Sequence, residues 1–105
     1  MSGDNPSFPI ATAAVSYFDP NNSNALAIHV FSTDGYSVTE RYITSNGNGW
    51  QTGPLNQSGT AVSATAWNDS AGSHIRVYCT SADSTTEWCW DPGSTAWTQG
   101  NYTNI

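Results

Sequence analysis

At 105 residues the chain has room for one domain, and a lone domain of this size and make-up buries too little apolar surface to be comfortably stable. Arg41 and Arg76 are the only basic side chains against a net charge of -6, so nothing is available to neutralise a phosphate backbone, and nucleic acid and anionic membranes are excluded as partners. Five Trp and five Tyr argue against disorder, and the weight of Ser, Thr, Asn and Gly among the polar residues favours turn-rich strands over helices.

Residues 1–10, with Pro6 and Pro9 and few strand formers, read as an extended N-terminal arm. The first nine residues have neither the basic start nor the apolar stretch of a signal peptide, and no apolar run approaches the roughly 20 residues of a membrane span, so membrane insertion is not expected and the compartment is not legible. A first unit, 11–57, carries predicted strands at 12–18, 25–32, 37–44 and a short outer one at 50–52. A second unit, 58–105, repeats this with 61–67, 74–80, 84–90 and 96–99. Turn chemistry separates the strands: Asp19-Pro20, Asp34-Gly35, Asn46-Gly47-Asn48-Gly49 and Asp91-Pro92-Gly93. No helix signal appears.

The two units are copies of one pattern. Laying Ile28 over Ile75 superimposes, without a gap, Val30 on Val77, Thr39 on Thr86, Glu40 on Glu87, Trp50 on Trp97 and Gly53 on Gly100. A repeat of four strand-like runs is the sequence mark of a β-propeller blade, and two blades cannot close a ring, so the chain is expected to assemble. Glu40 and Glu87 are the only glutamates, and a rare acid at one point of each copy suggests a small polar ligand bound several times over.

Strand alternation decides what each blade can present. If 75–80 pairs with 85–90 so that Arg76 and Glu87 share a face, Cys79 and Cys89 point to opposite faces and read as two inert core thiols rather than a disulfide. Glu87 and Trp90 then also face opposite ways. In a propeller the Glu face of one blade looks toward the Trp face of the next, which sets a guanidinium and a carboxylate across a gap from an indole wall. That combination suits a sugar, whose hydroxyls donate and accept while a ring face or methyl packs on indole. The competing reading is an Arg76–Glu87 ion pair tying two strands, with Trp90 and Trp97 as core. Neither the cysteines nor His29 and His74 have zinc-site spacing, the aspartates make no calcium loop, and no cofactor motif is present, so no metal or cofactor is expected.

Ile75-Arg76-Val77-Tyr78, then Thr85-Thr86-Glu87-Trp88-Cys89-Trp90-Asp91 and Trp97-Thr98-Gln99-Gly100-Asn101-Tyr102, resemble the blade motif of the Aleuria-type fucose-binding lectins. The resemblance covers nearly everything after the arm and is strongest to the small bacterial members, which have two blades per chain. It implies an all-β, six-bladed β-propeller assembled from three chains with two four-stranded blades each: a homotrimer binding L-fucose and fucosylated oligosaccharides. It further implies a pocket between chains, with Arg76, Glu87 and Asn101 on one side and Ile43 and Trp50 of the next chain on the other. A weaker pocket within the chain is implied between His29, Glu40 and Pro54 and the pair Trp90 and Trp97. There His29 replaces the Arg, and Pro54 has no N–H to offer. Arg41 points away from Glu40 and reads as a solvated or inter-blade charge.

Two alternatives stand beside the lectin: a structural or protein-interaction propeller without a sugar site, and a glycosidase using Glu40 and Glu87. Equivalent positions on stacked sheets lie about 10 Å or more apart, beyond the roughly 5 to 9.5 Å that paired glycosidase carboxylates need, so catalysis is not expected.

Overall fold

The computed structural model describes residues 8–104. Most of the N-terminal arm, and the last residue of the second unit, lie outside the described residues. Eight strands follow one another: β1 (Ala11–Asp19), β2 (Ala25–Thr33), β3 (Ser37–Thr44), β4 (Gln51–Ser58), β5 (Ala61–Asp69), β6 (Gly72–Ser81), β7 (Ser84–Trp90) and β8 (Thr98–Gln99). They form two four-stranded sheets, β1-β2-β3-β4 and β5-β6-β7-β8, each an antiparallel meander. Among the described residues there is no helix, and so none long and apolar enough to cross a membrane.

The turns form where short polar side chains can close on the backbone. Asp34 Oδ1 accepts from the amides of Tyr36 and Ser37, and Gly35 takes the positive φ of 100° that the turn requires. Asp69 does the same between β5 and β6, accepting from Ala71 and Gly72.

The sheets stack face to face, with β1 lying along β5. Val15, Phe31, Val38 and Leu55 of the first sheet meet Ile75, Val77 and Cys79 of the second, with Val62, Ala64, Ala66, Trp88, Trp90 and Trp97 packed around them. Phe31 and Val77 are wholly buried, and truncating Phe31 to Ala would cost about 3 to 5 kcal/mol. Alternation leaves the other face of each sheet uncovered. The first offers Phe18, with Ile28 paired to Ile43, and the second offers Trp67, which is 42% exposed.

Two outer strands differ from expectation. The strand expected at 50–52 begins at Gln51 and runs to Ser58, one residue beyond the expected end of the first unit. It continues through Pro54 because the ladder bulges there: Thr39 pairs with Asn56 and Arg41 with Thr52, so Glu40 alone faces Gly53, Pro54 and Leu55. The strand expected at 96–99 shrinks to Thr98–Gln99, with Ala96 and Trp97 left in the preceding turn. The Ile10 amide donates to Thr33 O at 2.9 Å just before β1 begins at Ala11. Cys79 and Cys89 are free, buried and on opposite faces of their hairpin, and burial pushes the Cys79 thiol up to about 11.

Candidate functional site

The residues expected to form the pocket within the chain converge on a cleft of about 360 Å³ between the two sheets. His29 and Tyr42 are cross-strand partners on β2 and β3, and Tyr17 comes from β1. Their rings stack side by side, Tyr17 on His29 at 5.6 Å and His29 on Tyr42 at 5.5 Å. Across the cleft Trp90 closes β7 and Trp97 sits in the turn before β8, with centroids 5.4 Å apart. Trp97 also meets Phe31 edge-on at 5.8 Å, so the indoles belong both to the cleft wall and to the packing between sheets.

Glu40 is the knot of this arrangement and is only 2% exposed. Its Oε2 lies 2.6 Å from His29 Nδ1, while Oε1 accepts from Trp97 Nε1 at 3.1 Å and from the Leu55 amide at 3.3 Å. The bulge delivers that amide, and Gly53 is required because any Cβ there would enter the Glu40 carboxylate. His29 Nε2 is bonded to Tyr17 Oη at 2.9 Å. Burial, with Asp19 and Glu40 adding, pushes Tyr17 up to about 12, so its hydroxyl stays protonated. A carboxylate only accepts, hence His29 Nδ1 carries a hydrogen toward Glu40. Both ring nitrogens are thereby committed within the protein, and Pro54 adds no donor.

The equivalent residues of the second sheet lie on its uncovered face. Arg76 opposes Cys89 and Tyr78 opposes Glu87, so Arg76 and Glu87 share that face as the alternation predicts, without forming the competing ion pair. Glu87 accepts from Tyr78 Oη at 2.8 Å and from the Tyr102 amide at 3.1 Å. Gly100 serves it as Gly53 serves Glu40: a Cβ there would strike the Glu87 carboxylate. Arg76 Nη1 donates instead to Asp91 at 2.8 Å and to Ile75 O at 2.9 Å, and the guanidinium lies 5.0 Å above the Trp67 ring. His74 stacks on the same ring at 5.0 Å. Its Nδ1 is 2.6 Å from Asp91 Oδ1, and its Nε2 makes a 2.8 Å ion contact with Asp69 Oδ2 that is poorly aligned as a hydrogen bond.

These contacts set the charges. Asp91 and Asp69 hold the His74 imidazole above its ordinary value. Burial pushes the Asp91 carboxyl up, but the bonds from His74 and Arg76 outweigh it and hold it below the usual range. The His74 ring beside it pulls Asp69 down.

One chain does not bring Ile43 or Trp50 to Arg76. Ile43 lies on the uncovered face of the first sheet, with the whole sandwich between it and Arg76, and Trp50 stands 47% exposed just before β4. Asn101 is exposed just after β8. Arg41 is exposed on the face away from Glu40, its Nη1 3.5 Å from Thr52 Oγ1. Sequence reasoning passed over Tyr17, Tyr42, Trp67 and Asp91. Tyr17 and Trp67 each stand two residues before the end of the first strand of their unit and were legible as a matched aromatic pair, whereas Asp91 reads as turn punctuation. Among the described residues no group of His, Cys, Asp and Glu is arranged to hold a metal ion. Set against known proteins, the chain matches no family model and no curated protein.

Proposed function

We propose that the protein is a non-catalytic, multivalent lectin that binds fucosylated glycans. Three chains complete a six-bladed β-propeller, and the working pocket lies where the uncovered face of one chain's second sheet meets the first sheet of the next. The observation that carries this reading is the unequal state of the two half-sites. His29 has spent both nitrogens on Tyr17 and Glu40, whereas only Nη1 of Arg76 is engaged by the bonds to Asp91 and Ile75, and Glu87 stands beside it half-buried on an open face. A pyranose brings adjacent hydroxyls to such a pair, and each charge-assisted bond contributes about 1.5 to 3 kcal/mol. The uncovered face of the first sheet, with Phe18, Ile28 and Ile43, and the exposed Trp67 ring on the second support assembly, because a monomer rarely leaves such surface to water.

Calorimetry with L-fucose tests the site. One saturating pocket per chain is expected; Arg76→Ala removes it and His29→Gln leaves it in place. Strong binding that survives Arg76→Ala but is lost in Trp90→Ala would place the pocket within the chain instead. Light scattering tests the assembly, where a stable monomer would overturn the ring.

A further inference from the structure

We propose that Asp91 is a positioning residue for Arg76: gripped by His74 and by its own turn, and aided by the Trp67 ring, it fixes the guanidinium in one orientation and so sets the affinity of the half-site on the second sheet. The inference rests on the sugar reading of that face and adds residues that reading does not name.

The chain of restraint starts in the backbone. Asp91 begins the turn after β7, where its amide donates to Ser94 Oγ at 3.0 Å, the Ser94 amide returns to Asp91 O at 2.9 Å, and Gly93 adopts a φ of 86°. The carboxylate is then held from the side by His74 Nδ1, whose ring is itself clamped between Trp67 and Asp69. A carboxylate so fixed fixes what it binds. Both Nη1 hydrogens of Arg76 are spent, one on Asp91 Oδ1 and one on Ile75 O, and the Trp67 face supports the guanidinium plane. The three remaining hydrogens, on Nε and Nη2, form the guanidinium edge suited to two neighbouring acceptors.

An arginine free to rotate would lose side-chain freedom on binding, and one already held does not. The first sheet lacks this device. At the position of Asp91 it has Thr44, and at that of Trp67 it has Tyr17, whose hydroxyl ties up His29 rather than leaving a donor edge open.

Two readouts separate this claim from the sugar reading. L-Fucose binding is measured by calorimetry for the full chain and for Asp91→Ala, Asp91→Asn and Trp67→Leu, each checked by circular dichroism. Side-chain ¹⁵N spectra follow the Arg76 guanidinium in the same proteins. Asp91→Ala is expected to weaken fucose binding about tenfold, the size of one lost charge-paired restraint. Asp91→Asn, which keeps an oxygen acceptor, should recover part of the loss, and Trp67→Leu should fall between. In the unaltered chain the Nη1 and Nη2 signals should be distinct, and they should merge in Asp91→Ala as rotation is released. Fucose binding in Asp91→Ala equal to that of the unaltered chain, or guanidinium signals already averaged in the latter, would overturn the inference. If the unaltered chain bound no fucose, the sugar reading would fall and the spectra alone would decide whether Asp91 holds Arg76.

Discussion

Glu40 and Glu87 occupy matching positions in the sequence, yet the structure gives them different work, and stability measurements should tell them apart. Replacing Glu40 by Ala strips the acceptor from three donors at once: His29 Nδ1, Trp97 Nε1 and the Leu55 amide. A buried donor left unsatisfied costs about 1 to 3 kcal/mol, and relief from burying the carboxylate returns part of that sum. The net loss should be about 3 to 5 kcal/mol, the cost of three orphaned donors less that relief. For a domain of this size that lowers the thermal midpoint by more than about 12 °C. Glu87→Ala releases only Tyr78 Oη and the exposed Tyr102 amide, both of which can turn to water, so it should cost about 1 kcal/mol and less than about 8 °C. The assay is tryptophan fluorescence during thermal and urea unfolding, at one protomer concentration because assembly is linked to stability. Fucose binding should show the reverse order, lost with Glu87 and kept by whatever fraction of Glu40→Ala stays folded. Equal destabilisation by the two, or the larger loss from Glu87→Ala, would refute the division.

The paired glycines should separate the same way: a Cβ at Gly53 enters the buried Glu40 and should lower the melting temperature, whereas Gly100→Ala displaces Glu87 and should mainly weaken fucose binding. The thermal midpoint should peak between about pH 4 and 6.5. His74 is raised above its ordinary value of 6.5, so its contribution is full below that value and is lost as pH rises through the raised one; His74→Gln should flatten this limb. Asp69 and Asp91 are depressed below 3.8, so their share is present above that value and is lost as pH falls through the depressed ones. Chelation with EDTA should leave fucose binding, measured by calorimetry, unchanged; loss restored by calcium would contradict the site.

Much of the sheet structure was legible because alternation and turn chemistry are local. The hairpin of β6 and β7 places Arg76 and Glu87 on one face for the same reason that it parts Cys79 from Cys89. The extents of the outer strands were not legible: β4 runs on past Thr52 where Glu40 supplies, from a side chain, an acceptor that the bulged ladder no longer offers Leu55. The site was legible in its residue types and not in its bonds. Whether Arg76 pairs with Glu87 or with Asp91 depends on how the turn at 91–94 directs a carboxylate, and no spacing rule encodes that.

The difference between the halves follows from one change of side chain in each of two neighbours. Tyr17 and His29 are diagonal neighbours on adjacent strands and are hydrogen-bonded to each other, so they close on each other and on Glu40, and the first half-site satisfies itself. Trp67 and Arg76 stand in the corresponding places, but an indole face offers a cation a surface rather than an acceptor. The guanidinium is therefore supported without being used up. In the first half the polar groups have become glue between the sheets, with Trp97 bonded to Glu40 and packed on Phe31. On the proposed reading the ring keeps three open pockets, one per chain interface, instead of six. Three pockets held at fixed separations still convert weak single-site binding into avid attachment on a dense glycan surface, because each later contact forms at high effective concentration. A stable fold within each chain and multivalent binding between chains then come from the same repeat, with the two copies of its glutamate assigned to different ends.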